Sequence, residues 1–109
     1  MFLDSMYVDA AIAISEAKRE NDASWENINK HFRECTCDRR YKVWFCCCTD
    51  SLNGFWRIGS HKFLLEFNNE NIYVRPVSEL DKYNNKPCYE VKRVGRNGYS
   101  FEWQREVLI

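Results

Sequence analysis

Apolar and polar positions along the 109 residues follow two periods, and the change falls near Tyr41. In "SMYVDAAIAISEAKRE", residues 5–20, Tyr7, Ala10, Ala11, Ile14 and Ala17 recur at three- and four-residue steps, the spacing of one helix face. Ser5 or Asp4 can cap its start, and Asn21-Asp22 interrupts it. Trp25, Ile28, Phe32 and Cys35 then repeat the helical step, which predicts a second helix over about 23–35 with Asp22 as its N-cap.

From Tyr41 the pattern becomes alternation, punctuated so as to predict three successive hairpins. Asn53-Gly54, between "VWFCCCTDSL" and "FWRIG", is the dipeptide favoured in a two-residue hairpin turn. "HKFLLEF" and "NIYVRPV" flank Asn68-Asn69-Glu70, and "CYEVKRV" and "YSFEWQREV" flank Gly95-Arg96-Asn97-Gly98. In the last strand Tyr99, Phe101, Trp103 and Val107 share one face, against Ser100, Glu102, Gln104 and Glu106 on the other. The polar stretch 78–87, with Pro87 at its end, is the expected long loop. The pattern therefore predicts one α+β domain over residues 1–109. Two N-terminal helices, within about 5–35, pack on a curved antiparallel sheet of about five to six strands, within about 41–107.

Composition agrees: 45% of residues are hydrophobic and 16% aromatic, and a chain of this length can build one core without covalent staples. The longest strictly apolar run, Val43 to Cys48, is far short of the roughly 20 residues that span a bilayer, so no membrane partner is expected. Asp4 stands where an export signal carries positive charge, and no continuous apolar region follows; a cytoplasmic chain with reduced cysteines is the expectation. Sixteen basic residues balance sixteen acidic ones, which leaves no long-range field for a polyanion and argues against a nucleic-acid partner. The charge is uneven, however. Residues 35–62 carry Arg39, Arg40, Lys42, Arg57 and Lys62 against Asp38 and Asp50, whereas residues 1–34 are net acidic, a division that suits a specific protein partner or self-association.

Cys46-Cys47-Cys48 poses the main chemical question. On a regular strand Cys46 and Cys48 would share a face with Trp44, and Cys47 would join Val43 and Phe45, so the three cannot act together. The plain expectation is that they pack, in a central strand covered on both faces. The sharper alternative is a structural zinc held by His31, Cys35, Cys37, Cys46 and Cys48, although C-x-C pairs are not the usual knuckles. Cys37, beside Arg39 and Arg40, is the candidate for thiol chemistry. His31 and His61 have no catalytic company, no nucleophile or phosphate-binding motif occurs, and no cofactor is implied. Glu66, Glu70, Glu90, Glu102 and Glu106 read as the solvated face of the sheet.

The aromatic residues offer the most. Trp56-Arg57, with Arg39, Arg40 and Lys42 nearby, are the expected partner-binding residues of a small non-catalytic protein-binding module of inhibitor, immunity or regulatory type. The alternative is a small-molecule-binding or enzymatic domain whose sheet encloses a pocket lined by Trp44, Phe63, Tyr73, Phe101 and Trp103. A homodimer that covers exposed strand edges is a further expectation.

Overall fold

In a computed structural model, which describes residues 5–37, 39–68, 71–77, 88–94 and 98–104, the chain forms two helices and then six strands. They are α1 (Ser5–Arg19), α2 (Trp25–Thr36), β1 (Val43–Cys48), β2 (Gly54–Ile58), β3 (His61–Asn68), β4 (Asn71–Val77), β5 (Cys88–Val94) and β6 (Gly98–Gln104). All neighbours are antiparallel and the order is β1-β2-β3-β4-β5-β6, an open meander with β1 and β6 at its edges. The architecture is the expected α+β one, with the helices packed on the sheet. The expected loop over 78–87 and the turn residues 69–70 and 95–97 lie outside the described residues.

α1 lies on the sheet against β2, β4 and β5, and α2 packs on α1 and on β1. The α1 stripe Tyr7, Ala10, Ala11, Ile14 and Ala17 is buried, as its spacing predicts, and Ala13 is buried beside it. Small side chains let the helix axis approach both neighbours closely, so α1 forms the centre of the core. The sheet answers with Val43, Trp56, Ile58, Phe63, Leu65, Ile72, Val74, Tyr89 and Val91 on one face, and the Tyr7 and Phe63 rings meet edge-on at 5.9 Å. Each such large side chain contributes about 1.5–3 kcal/mol when fully buried.

The helix boundaries have local causes. Asn21 takes the left-handed conformation (φ 56) after α1, and its N–H and that of Asp22 donate to the carbonyls of Lys18 and Ala17, a Schellman ending. The N-cap of α2 is Ser24 and not Asp22: Ser24 Oγ accepts from the Asn27 N–H, while Asp22 Oδ1 accepts from the Ser24 N–H. α2 ends at Cys37, also left-handed (φ 58, ψ 17), whose N–H donates to the Arg33 carbonyl.

Three sequence expectations are corrected in the sheet. Asn53-Gly54 does not form the turn. The connection is Thr49 to Asn53, closed by Thr49–Asn53 and Leu52–Thr49 backbone bonds, with Leu52 left-handed (φ 69). Gly54 already belongs to β2, opposite Cys48, and Asn53 Oδ1 accepts from the Phe67 N–H of β3. The two-residue turn is Gly59-Ser60, between the paired Ile58 and His61. Second, β1 is an edge strand and not a central one. Its pairing with β2 shifts between Phe45 and Cys47, a bulge that inserts Cys46 and reverses the alternation after it. Cys48 therefore comes to the core side with Val43, and Cys47 to the other side, opposite Phe55. Cys46 and Cys47 are exposed and Cys48 is half-buried, so the cluster does not fill a core as expected. Third, Glu90 is not solvated: it is buried at 6% exposure, with Lys92 Nζ 3.0 Å from its Oε1.

Gly54 is required where it stands. It has φ 143, and a Cβ there would run into the Cys47 carbonyl and come within 2.8 Å of Cys48 Cα. Pro76 stands opposite Phe63 of β3, and among the described residues the pairing of β4 with β5 runs from Asn71 to Val74, short of Pro76.

Candidate functional site

The free edge of β1 is where helix, sheet and surface chemistry meet. Asn29 of α2, only 5% exposed, acts there as a substitute strand residue. The Val43 N–H donates to Asn29 Oδ1 at 2.7 Å, and Asn29 Nδ2 donates to the Val43 carbonyl at 3.0 Å and to the Trp25 carbonyl at 2.8 Å. One side-chain amide thus satisfies both backbone groups of an edge residue, and it binds the first turn of α2 to the sheet.

That clamp carries Trp25 over the rim of the sheet. Its ring stacks on Trp44 of β1, with centroids 5.2 Å apart and planes inclined by 29°. Trp25 remains 42% exposed and Trp44 half-buried, so the pair presents indole surface to solvent. Two cations flank it: Lys42 Nζ lies 5.9 Å from the Trp25 ring centroid and Arg57 Cζ 5.7 Å from that of Trp44. Arg57 is held in place by donating from Nη1 to the Gly59 carbonyl at 2.7 Å. Register continues the row outward, Trp44 opposite Arg57 and Arg57 opposite Lys62. Phe45, at 55% exposure, and the exposed thiols of Cys46 and Cys47 extend the same edge.

Of the residues expected to bind a partner, Lys42 and Arg57 thus flank this surface. Arg40 is exposed over the Tyr41 ring at 5.6 Å, and Arg39 is exposed and lines a separate hollow with Lys30, Arg33, Glu34 and Cys37. Trp56 is corrected: it is 1% exposed, on the core face, and its indole N–H donates to the Leu52 carbonyl at 3.1 Å. Alternation places Arg57 outward and hence Trp56 inward, so the two cannot share a surface. Trp25, which the helical stripe assigns to the core, takes the surface role. Its place at the first turn of α2 was the available signal, since a helix end can overhang the element beneath it.

Three of the residues expected to line an enclosed pocket divide between the two faces of the sheet. Phe63 is fully buried on the core face, whereas Trp44 and Tyr73 are on the opposite face of the sheet. Phe101 and Trp103 stand in register opposite Val91 and Tyr89. No family model, curated protein or solved structure matches the chain.

The residues expected as metal ligands are spread over α2 and β1. Among the described residues no group of three or more His, Cys, Asp or Glu side chains is arranged to hold a metal ion. His31 Nε2 is 2.8 Å from Glu20 Oε1, and its Nδ1 is 3.8 Å from Glu34 Oε2. The His31 hydrogen bond, followed by that from Asn27, holds the Glu20 carboxyl below its ordinary value. Cys35, Cys37, Cys46, Cys47 and Cys48 are free thiols. Although Cys35 is exposed as a residue, its thiol is pushed up to about 11 by partial burial first and then by the carboxylates of Asp9, Glu34 and Glu16. Burial, and then Cys47 and Asp50, likewise raise Cys48. Neither is an activated nucleophile.

Proposed function

We propose that the chain is a non-catalytic protein-binding module, of inhibitor, immunity or regulatory type, that engages an acidic surface on a partner through Trp25, Trp44, Lys42 and Arg57. The observation that carries this reading is the solvent-facing indole stack with a cation against each ring. Trp and Arg dominate the energetics of interfaces because they combine large contact area with directed polar groups. The stack is also held rigidly, by the Asn29 clamp on one side and the Arg57–Gly59 bond on the other, so little ordering entropy remains to be lost on docking. Free thiols suit a reducing compartment, and we place the module in the cytoplasm on that basis.

The test is affinity capture with the wild-type chain and with a Trp25→Ala/Trp44→Ala variant of unchanged fold, each at low and high salt. The expected result is a partner held by the wild type, released by salt and lost from the variant. A captured partner indifferent to both changes would refute the assignment. Light scattering on the same samples reads self-association through the same surface.

A further inference from the structure

A hollow at the C-terminal end of α2 differs from the tryptophan surface in its chemistry. It measures about 490 Å³ and is lined by Lys30, Arg33, Glu34, Cys37 and Arg39. That volume lies within the range of ligand clefts, roughly 300–1,000 Å³. Lys30, Arg33 and Cys37 share it because three- and four-residue steps keep them on one side of the helix. Cys37 then ends the helix in the left-handed conformation, and the departing chain brings Arg39 to the same rim.

Lys30, Arg33 and Arg39 form no ion pair with a described carboxylate. Glu34, the one acid among the described lining residues, has an oxygen 3.8 Å from His31 Nδ1. Three cations around one concavity repel each other, and a bound anion relieves that repulsion. The end of α2 works against an anion: the Cys37 N–H is taken by the Arg33 carbonyl at 2.9 Å, and the last carbonyls of the helix form the negative end of its dipole. A ligand must therefore be held by the side-chain cations and must carry more than one negative charge to satisfy them.

We propose that this hollow binds a small, multiply charged oxyanion of the polyphosphate or polycarboxylate class, held by Lys30, Arg33 and Arg39. Guanidinium forks accept either oxyanion in bidentate geometry, and the lysine adds a point charge. The assignment is independent of the protein-binding surface, since it shares no residue with Trp25, Trp44, Lys42 or Arg57.

Cys37 reports occupancy from within the lining. Reduced protein is alkylated with iodoacetamide at low ionic strength, with tripolyphosphate, with citrate, or with chloride of equal ionic strength, and each cysteine is followed by peptide mass spectrometry. A probe present at ~10 times its Kd slows Cys37 alkylation about tenfold, while Cys46 and Cys47, exposed on β1, keep their rates. Lys30→Ala/Arg33→Ala/Arg39→Ala abolishes the protection without altering Cys46. Protection by either probe supports the site, and the stronger of the two identifies the ligand class. An unprotected Cys37, equal slowing at Cys46, or protection that survives in the triple variant overturns it.

Discussion

β1 and β3 both carry large apolar side chains, and these have opposite fates. β1, "VWFCCC", has no polar residue, yet only Val43 is fully buried and Phe45, Cys46 and Cys47 are exposed. β3, "HKFLLEFN", alternates, and its Phe63 and Leu65 are fully enclosed. β3 has strands on both sides and α1 across its inner face, where the Tyr7 ring meets Phe63. β1 has a strand on one side only, a bulge in its middle, and cover on its free edge at Val43, where Asn29 reaches it. Position in the sheet therefore decides burial more strongly than local hydrophobicity does. An apolar run left at the margin becomes surface that can serve recognition.

The sharpest way to break that contrast is to truncate one phenylalanine from each strand. Phe63→Ala is expected to destabilise by about 3–5 kcal/mol, because it opens a cavity in a fully packed layer, whereas Phe45→Ala, which loses an edge-on contact with Trp56 at 5.9 Å, should cost only about 1 kcal/mol. Denaturant unfolding of both variants checks this, and equal losses would mean that β1 is covered after all.

The thiols give the next largest difference. With its thiol pushed up to about 11, against 9.0 for an ordinary thiol, Cys35 holds about a hundredfold less thiolate at neutral pH than a free cysteine does. Its alkylation is expected to lag that of a free cysteine added to the same sample and to keep rising with pH up to about 11. Mass spectrometry of a pH series reads this, and Cys35 modified as early as the free cysteine would contradict it. The sign for stability follows from the same shift. The folded chain binds this proton more tightly than the unfolded chain, so its contribution is complete below pH 9.0 and is lost as pH rises through about 11.

Asn29→Ala tests the clamp. It leaves the Val43 N–H and carbonyl without their side-chain partner and is expected to cost about 1–3 kcal/mol. It should also release Trp25 from Trp44, visible as a change in tryptophan fluorescence; an unchanged spectrum would separate the stack from the clamp. The smallest effect concerns the end of α2. Cys37→Gly removes a side chain from a left-handed position and is expected to stabilise by about 1 kcal/mol, measured as a rise in Tm.

Much of this molecule was legible in its sequence for a physical reason. Periodicity is a local property, and it identified the buried stripe of α1, the position of α2 to within two residues of each end, and strands around each hairpin signal. The site was less legible. Alternation alone places Trp56 and Arg57 on opposite faces, but whether a given face meets helix or solvent depends on layers assembled from distant segments. The bulge at Cys46 was invisible for a related reason, since an inserted residue shows only against the strand it pairs with.

The amino-acid order by itself determined the helix and strand types, the antiparallel hairpin connectivity and the absence of a net charge, because each depends on neighbours within a few residues or on composition. Tertiary structure alone decided that β1 is an edge and that Trp25 leaves the core to stack on Trp44. Those outcomes depend on which surfaces meet once the chain has folded back on itself, and no short window of sequence contains both partners of such a contact.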